Sequence, residues 1–267
     1  MPNKETLAER MKRYEAVSSG CLTRRIPVIL RLDGKAFHSF TKGFDRPFDS
    51  LLMMTMRATM KLLCEEIQGC VLGYTQSDEI TLVLCDYQTI DTQPWFGYRI
   101  QKMTSVSAAA ATLYFNTLFS PLAIEYIAAH CEDDSQQKRI QALKKALCKE
   151  ALFDSRVFSV PKEEVNNCLV WRQQDAIRNS IEATAQAHFS PKQLHGLNCT
   201  RLKEKLLAEK NIDWDAMPTE QQRGSCCIRK TEQHDGYTRN IWIVDKEIPI
   251  FSKNPEYVNQ RIHFEDE

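Results

Sequence analysis

The 267-residue chain is short of the features that mark non-globular or externally stapled proteins. It has only 9 Gly and 10 Pro, too few for a collagenous or linker-like sequence. Its 43% hydrophobic residues place it outside the regime of intrinsic disorder. Neither sign of charge is in excess. Thirty-five Lys and Arg balance 35 Asp and Glu, which argues against a protein that coats nucleic acid or membrane by bulk electrostatics and leaves local basic patches open. No apolar run approaches the roughly 18 residues of a membrane helix, and the opening stretch MPNKETLAERMKRYEAV lacks the apolar core of a signal peptide. The chain is therefore expected to be soluble and cytoplasmic, with no membrane partner. Its 10 cysteines form no C-x-x-C pair and read as reduced, mostly buried small hydrophobes. Neither G-x-x-x-x-G-K-[ST] nor G-x-G-x-x-G occurs, so P-loop and Rossmann binding lose their usual support.

What is present is a succession of strands and long helices. Asn3 can cap a first helix with Leu7, Met11 and Tyr14 at helical spacing, and Ser18-Ser19-Gly20 stops it. IPVILRL (26–32) reads as a buried strand ending at Asp33-Gly34. A long helix over 51–67 has Asp49 as its cap and Gly69 past its end. CVLGY (70–74) and EITLVLC (79–85) then form strands around the connection TQSD, the second with at least one buried face. Helices are expected from Arg99 to about Phe119 and from Lys162 to Ala187, the latter with Val165, Leu169, Ile177 and Ile181 as core positions. RVFSV (156–160) is a strand. Short helices start at Ser190-Pro191 and Thr200, and His195-Gly196 marks a helix end. SCCIRK (225–230) and NIWIVD (240–245), joined by a polar loop with Asp235-Gly236, make a closing hairpin, so Cys226 and Cys227 read as packing. This order favours an α+β fold over a doubly wound parallel sheet.

The most informative feature is local charge. From Leu62 to Tyr98 there are 6 acidic residues, Glu65, Glu66, Asp78, Glu79, Asp86 and Asp91, and no Lys or Arg. Asp78 and Glu79 lie at a hairpin turn, and Asp33 lies where another strand runs out. If those strands are neighbours, Asp33 and Asp78 meet at one edge as oxygen donors suited to Mg²⁺, the arrangement that two-metal phosphoryl or nucleotidyl transfer requires. The plain alternative is that Asp-Gly and Ser-Asp are ordinary turn dipeptides. His38, without a second His or Cys at ligand spacing, reads as a hydrogen-bonded structural histidine rather than a metal ligand.

Basic residues flank the acidic stretch. Arg99 and Lys102 fall in the first turn of an expected helix, where the macrodipole disfavours cations unless an anion is bound, and Arg46 is a further candidate for a triphosphate. Residues 138–150 carry 5 basic residues against one Glu, and 201–210 carry 4 against 2. With Lys4, Arg10, Lys12, Arg13, Arg24 and Arg25 these could form a phosphate-tracking surface, the alternative being solvated helix faces.

Three ordered motifs carry a resemblance. RLDGKAFHSFTKGFDRPFD (31–49), GYTQSDE (73–79) and WFGYRIQKMTS (95–105), extended by WRQQDAIRNS (171–180), resemble the tRNA-His guanylyltransferase family. The resemblance implies a polymerase/cyclase-like palm, a mainly antiparallel sheet packed by long helices, with a helical and hairpin C-terminal extension. The division falls softly near residue 135, with 1–135 as catalytic core and 136–267 as the remainder, or the two as one domain. It also implies nucleotide addition to the 5′ end of tRNA in the 3′-to-5′ direction, after a nucleoside triphosphate, GTP or ATP, has activated the 5′-phosphate. Asp33, Asp78 and the Gly34 carbonyl would bind two Mg²⁺ ions with Glu79 close by. Gly34, Lys35, Ala36, Phe37, His38, Arg46, Asp49, Ser77, Arg99 and Lys102 would contact nucleotide, Asp49 through the base. Lys138, Arg139, Lys144 and Lys145, with Arg172 and Asn179, are the expected RNA contacts, and a homo-tetramer is the implied assembly.

In one place the chain departs from that family. Ile177-Arg178-Asn179-Ser180 stands where the eukaryotic enzymes carry His-Ile-Asn-Asn. This departure and FSPKQLHGLNCT (189–200) make the chain look more similar to the bacterial and archaeal branch, which resembles a template-dependent 5′-end repair polymerase. The rival readings are a palm-type nucleotide cyclase, which would need no polynucleotide surface, and a non-catalytic RNA-binding module, for which an RNP-like aromatic strand is lacking.

Overall fold

The computed structural model describes residues 5–234 and 237–263; Asn3, Lys4, Asp235 and Gly236 lie outside the described residues. The first helix, α1 (Leu7–Ala16), is closed by a capping box between Thr6 and Glu9. It forms where expected, yet Leu7, Met11 and Tyr14 are exposed and the helix buries nothing. Strand β1 (Val28–Gly34), the short α2 (Phe37–Phe40) and α3 (Ser50–Glu66) follow. The Asp49 side chain caps α3 by accepting from the N–H groups of Leu51 and Leu52. β2 (Cys70–Gln76) and β3 (Glu79–Leu84) form the next hairpin. Its turn is Ser77-Asp78 alone, tighter than the expected four-residue connection, because Ser77 takes the left-handed conformation (φ 51°) that tight hairpins demand.

Helix α4 (Ile100–Ala129) runs ten residues beyond the expected end, through Pro121. A proline inside a helix costs about 3 kcal/mol, but Phe119 and Ala123 on either side are buried and Leu122, Tyr126 and Ile127 pack on the core. Burial of that second half offsets the broken hydrogen bond. After α5 (Gln137–Lys149), β4 (Phe153–Ser159) begins earlier than the apolar pattern indicates, because Phe153 is fixed by the Thr112 hydroxyl and pairs with Gly34. The long α6 (Lys162–His188) leads to α7 (Pro191–Leu194), α8 (Cys199–Lys210) and α9 (Thr219–Arg223). His195 and Gly196 do end α7. Strands β5 (Ser225–His234) and β6 (Tyr237–Asp245) and the short α10 (Glu256–Asn259) complete the described elements.

The 6 strands form one antiparallel sheet in the order β4-β1-β3-β2-β5-β6. The closing hairpin was expected in a C-terminal extension; instead β5 pairs with β2 and continues the sheet, so strands from both sides of residue 135 share it. On one face Leu30, Leu32, Ile80 and Leu82 meet Met56, Met60, Phe115 and Phe119 of α3 and α4. On the other, Ile29, Val83 and Tyr74 meet Val165 and Leu169 of α6 and the segment carrying Phe251, Val258 and Ile262. β3 is therefore buried on both faces. The C-terminal half of α6 packs with α8 and Trp214 in a third cluster around Ile181, with Ile177 at its margin. The cysteines are free, but only Cys64, Cys70, Cys85, Cys226 and Cys227 are buried, while Cys21, Cys131 and Cys148 are exposed. No helix among the described residues is long and apolar enough to cross a membrane.

Candidate active site

At the end of β1, Asp33 lies opposite Glu79 of β3 and Asp154 of β4. Residues directly opposite across antiparallel strands share a face, so the edge carries a row of three carboxylates. Two have cationic partners. Asp154 takes Arg156 at 3.0 Å. The buried Glu79 receives a fork from Arg172 of α6, Nε to Oε1 at 2.7 Å and Nη2 to Oε2 at 2.8 Å. Arg172 also reaches Asp175 at 3.1 Å, and Asp175 in turn holds Arg178. Burial works against the charge of Arg172, but hydrogen bonds and charge from Glu79 hold its pKa above the ordinary value.

Asp33 and Asp78 are different: among the described residues neither has a salt-bridge partner. The Gly34 N–H donates to the Asp78 carbonyl at 3.1 Å, tying the end of β1 to the β2–β3 turn, and the Ser77 hydroxyl donates to Asp78 Oδ1 at 3.0 Å. Burial pushes the Asp78 carboxyl above the usual carboxylate range, and the charges of Asp33 and Glu79 act in the same direction. Loss of water and like charge thus leave a group that gains from any bound cation.

The chain turns sharply after Asp33. Ala36 is left-handed (φ 53°), and among the described residues the N–H groups of Ala36, Phe37 and His38 have no acceptor. Successive unsatisfied N–H groups form an anion-binding concavity. A cavity of about 360 Å³, lined by Gly34, Ala36, Phe37, His38, Thr41, Leu52, Ser77 and Asp78, opens there. A second of about 200 Å³ shares Leu52 and Ser77 with it and adds Asp49, Asn179, Ser180 and Gly224. The turn depends on Gly34, where an added Cβ would lie 2.2 Å from the Phe37 ring. That ring packs on Phe40, Phe115 and Phe153 and cannot yield. Gly34→Ala is expected to destabilise the protein by about 1–3 kcal/mol in urea unfolding, more than Lys35→Ala, whose side chain is exposed.

The structure brings Gly34, Ala36, Phe37, His38, Ser77, Asp78 and Asp49 to these two cavities, leaves Asp33 beside Gly34 at the end of β1, and places others outside them. Phe37 contributes only the backbone of the turn, since its ring is in the core. His38 is exposed and makes no hydrogen bond among the described residues, which overturns its reading as a bonded structural histidine. The Asp49 carboxylate is spent internally, on the N–H groups of Asp45, Leu51 and Leu52 and on Arg139. Arg46 lines a different cavity, against α5. Arg99 and Lys102 do lie at the start of α4, which is joined to residues 20–22 through the Cys21–Arg99 bridge and the Ile100–Gly20 bond, and neither side chain lines the two cavities. Among the expected RNA contacts, Arg172 and Arg139 are buried and engaged by carboxylates, Arg139 in the wall of the cavity against α5. Lys138, Lys144 and Lys145 are exposed on α5, and Asn179 lies at the second cavity. Asp154 and the Arg172–Glu79 fork escape the sequence because only strand register and a helix crossing create them.

No group of three or more His, Cys, Asp or Glu able to hold a metal occurs among the described residues. The donor set at the edge is two carboxylates and backbone oxygen. The sequence matches the tRNAHis guanylyltransferase family over residues 8–161. A solved bacterial tRNA(His) guanylyltransferase-like protein in complex with ATP is 40% identical, with a TM-score of 0.81, and the match covers 97% of this chain and 100% of that one. Another, in complex with GTP, is 36% identical with a TM-score of 0.78 and the same 97% and 100% coverage. A probable tRNA(His) guanylyltransferase of Dictyostelium discoideum is 26% identical over 249 residues, 85% of this chain and 88% of the relative. The chain therefore belongs to the tRNAHis guanylyltransferase family and is a nucleotidyltransferase of that kind.

Proposed function

We propose that this nucleotidyltransferase extends the 5′ end of tRNA in the 3′-to-5′ direction, by Mg²⁺-dependent, template-directed end repair rather than by a single dedicated guanylate addition. The observation that carries the reading is the pair Asp33 and Asp78, the members of a carboxylate-rich edge left without cations beside a turn of free N–H groups. Two carboxylates with the Gly34 carbonyl suit Mg²⁺, which takes one or two carboxylates together with substrate phosphates and needs no all-protein cage. When bound, the metal supplies Lewis-acid stabilisation of charge on the attacking, bridging and leaving oxygens. The protein's own part is positional. The N–H groups of Ala36, Phe37 and His38 hold phosphate oxygens, and Ser77 orients Asp78. Arg172 holds Glu79 in its fork and offsets part of the negative charge that Glu79 places beside the other two carboxylates. The cavity between Leu52, Asp49 and Asn179 takes the nucleoside end. A nucleoside triphosphate first activates the 5′-phosphate of the tRNA, and the 3′-hydroxyl of the incoming nucleotide then attacks that activated end.

The ATP and GTP bound by the two similar bacterial proteins support both nucleotides as substrates here. The sheet edge is read as a polymerase/cyclase-like palm, with residues 1–135 as its catalytic core and 136–267 completing it. Cytoplasmic location and a homo-tetramer belong to the same reading. The repair branch rests on Ile177-Arg178-Asn179-Ser180 in place of the eukaryotic tetrad. With Mg²⁺, ATP and GTP, a panel of tRNAs truncated or intact at the 5′ end is expected to yield extension of the truncated members up to the point of full pairing. Addition of one guanylate to intact tRNA-His alone would overturn the repair assignment. Cyclic or dinucleotide products formed without RNA would overturn tRNA extension itself.

A further inference from the structure

The largest cavity among those described, about 950 Å³, lies on the far side of α2 from the Asp33–Asp78 edge, between the Ser39–Arg46 segment and α5. Its walls are basic. Lys42 and Arg46 come from the segment, and Lys138, Lys145 and Lys149 from α5. On α5 these three recur at helical spacing on one face, spread over about 16 Å at 1.5 Å per residue. Lys149 donates to the Ser39 hydroxyl at 3.2 Å. Among the described residues, Lys42, Arg46, Lys138 and Lys145 have neither a carboxylate partner nor an aromatic ring beneath them.

The groove is fixed in shape. Arg139, more than nine-tenths buried, pins α5 to the segment through Asp45 and Asp49 and stacks on Tyr126 at 4.2 Å. Gly43 (φ 95°) lets the segment approach so closely that an added Cβ would stand 2.9 Å from Ala142 Cβ. Four unpaired cations held along one open trough repel each other, and the arrangement is relieved only when an extended anion lies in it.

We propose that this groove carries the phosphate backbone of the RNA substrate as it leads to the 5′ end at Asp33 and Asp78. The proposal rests on the tRNA reading above. The row of cations is longer than one triphosphate, the lining residues Phe40, Phe44, Ala142 and Ala146 are apolar and buried, and the buried Arg139 is held by Asp45 and Asp49. Lysine supplies most of the charge, as flexible point charges rather than the forked donors that fix a single nucleotide. Such a surface tracks backbone and is indifferent to sequence.

The test is tRNA binding by the full-length protein as a function of salt. Lys138→Ala/Lys145→Ala is expected to weaken tRNA binding about ten-fold near physiological salt, and to lower the slope of log K against log salt by about 1.5, while GTP affinity in Mg²⁺ stays at the parent value. Lys253→Ala, outside the groove, serves as the control for net charge. Unchanged tRNA affinity and slope would overturn the groove as an RNA track. A parallel loss of affinity for GTP or inorganic tripolyphosphate would instead make it a polyphosphate site and also overturn the proposal. Failure of the parent protein to bind tRNA at all would refute the tRNA reading itself, a result distinct from either.

Discussion

Asp78→Asn is expected to reduce 5′-end extension by about 10³-fold or more and at the same time to raise the melting temperature at neutral pH. The two effects have one cause. In the folded chain the Asp78 carboxyl is pushed above the ordinary range by burial, with Asp33 and Glu79 adding like charge, whereas in the unfolded chain it is ordinary. A group whose folded pKa is raised contributes its stability at pH values below the unfolded pKa and loses it as pH rises through the folded one. At neutral pH the ionised Asp78 is therefore a net cost to the fold, and the neutral amide escapes that cost while still accepting from Ser77. Mg²⁺ should raise the melting temperature of the parent protein and leave that of Asp78→Asn unmoved. Differential scanning calorimetry at neutral pH and near pH 4 checks the sign, since the gain from the amide should shrink at the lower pH.

Arg172→Ala is expected to destabilise the protein by about 3–5 kcal/mol, the effect of leaving a buried carboxylate without its partner. Glu79 is buried between sheet and α6 and both its oxygens are taken by Arg172, so no water replaces the lost fork. Arg172→Met combined with Glu79→Gln should recover most of that loss, because it removes both charges at similar volume. By contrast, Arg178→Ala, which severs an exposed contact to Asp175, should cost less than about 1 kcal/mol. Urea unfolding of the parent, Arg172→Met, Glu79→Gln and the double variant, analysed as a double-mutant cycle, reads the coupling directly. A loss under 1 kcal/mol for Arg172→Ala would mean that Glu79 is hydrated in solution.

The residues that reached the candidate site from sequence are those whose neighbours are close in the chain. Asp33, Ser77 and Asp78 stand at abrupt ends of apolar strands, and antiparallel neighbours of equal length bring such ends together. The cation-free stretch from Leu62 to Tyr98 gave a less faithful picture. Glu79 is answered by Arg172, 93 residues on, and Asp86 by Arg24, 62 residues back. Counting charges along a window cannot register partners that only packing supplies. Arg99 and Lys102 line neither cavity for the complementary reason: a helix N-terminus can be inferred from sequence, but where it packs is set by the 15-residue connection after β3 and its tie to residues 20–22. The extent of α4 was hidden by Pro121, whose local penalty is outweighed by burial around Ala123. The place of the last hairpin was hidden because nothing in SCCIRK or NIWIVD names the strand it joins, and the pairing of β5 with β2 is a tertiary fact.

The central claim is growth of RNA at its 5′ end by the carboxylate pair. It is tested most directly with a 5′-truncated tRNA that carries a 5′-monophosphate and whose 3′ terminus has been oxidised so that it cannot be extended. With Mg²⁺, ATP and GTP, the parent protein should lengthen this RNA at the 5′ end, Asp33→Ala and Asp78→Asn should not, and the matching 5′-hydroxyl RNA should stay unchanged. If oxidation of the 3′ terminus abolished the product, or if the two variants extended the RNA as the parent does, the account would be contradicted.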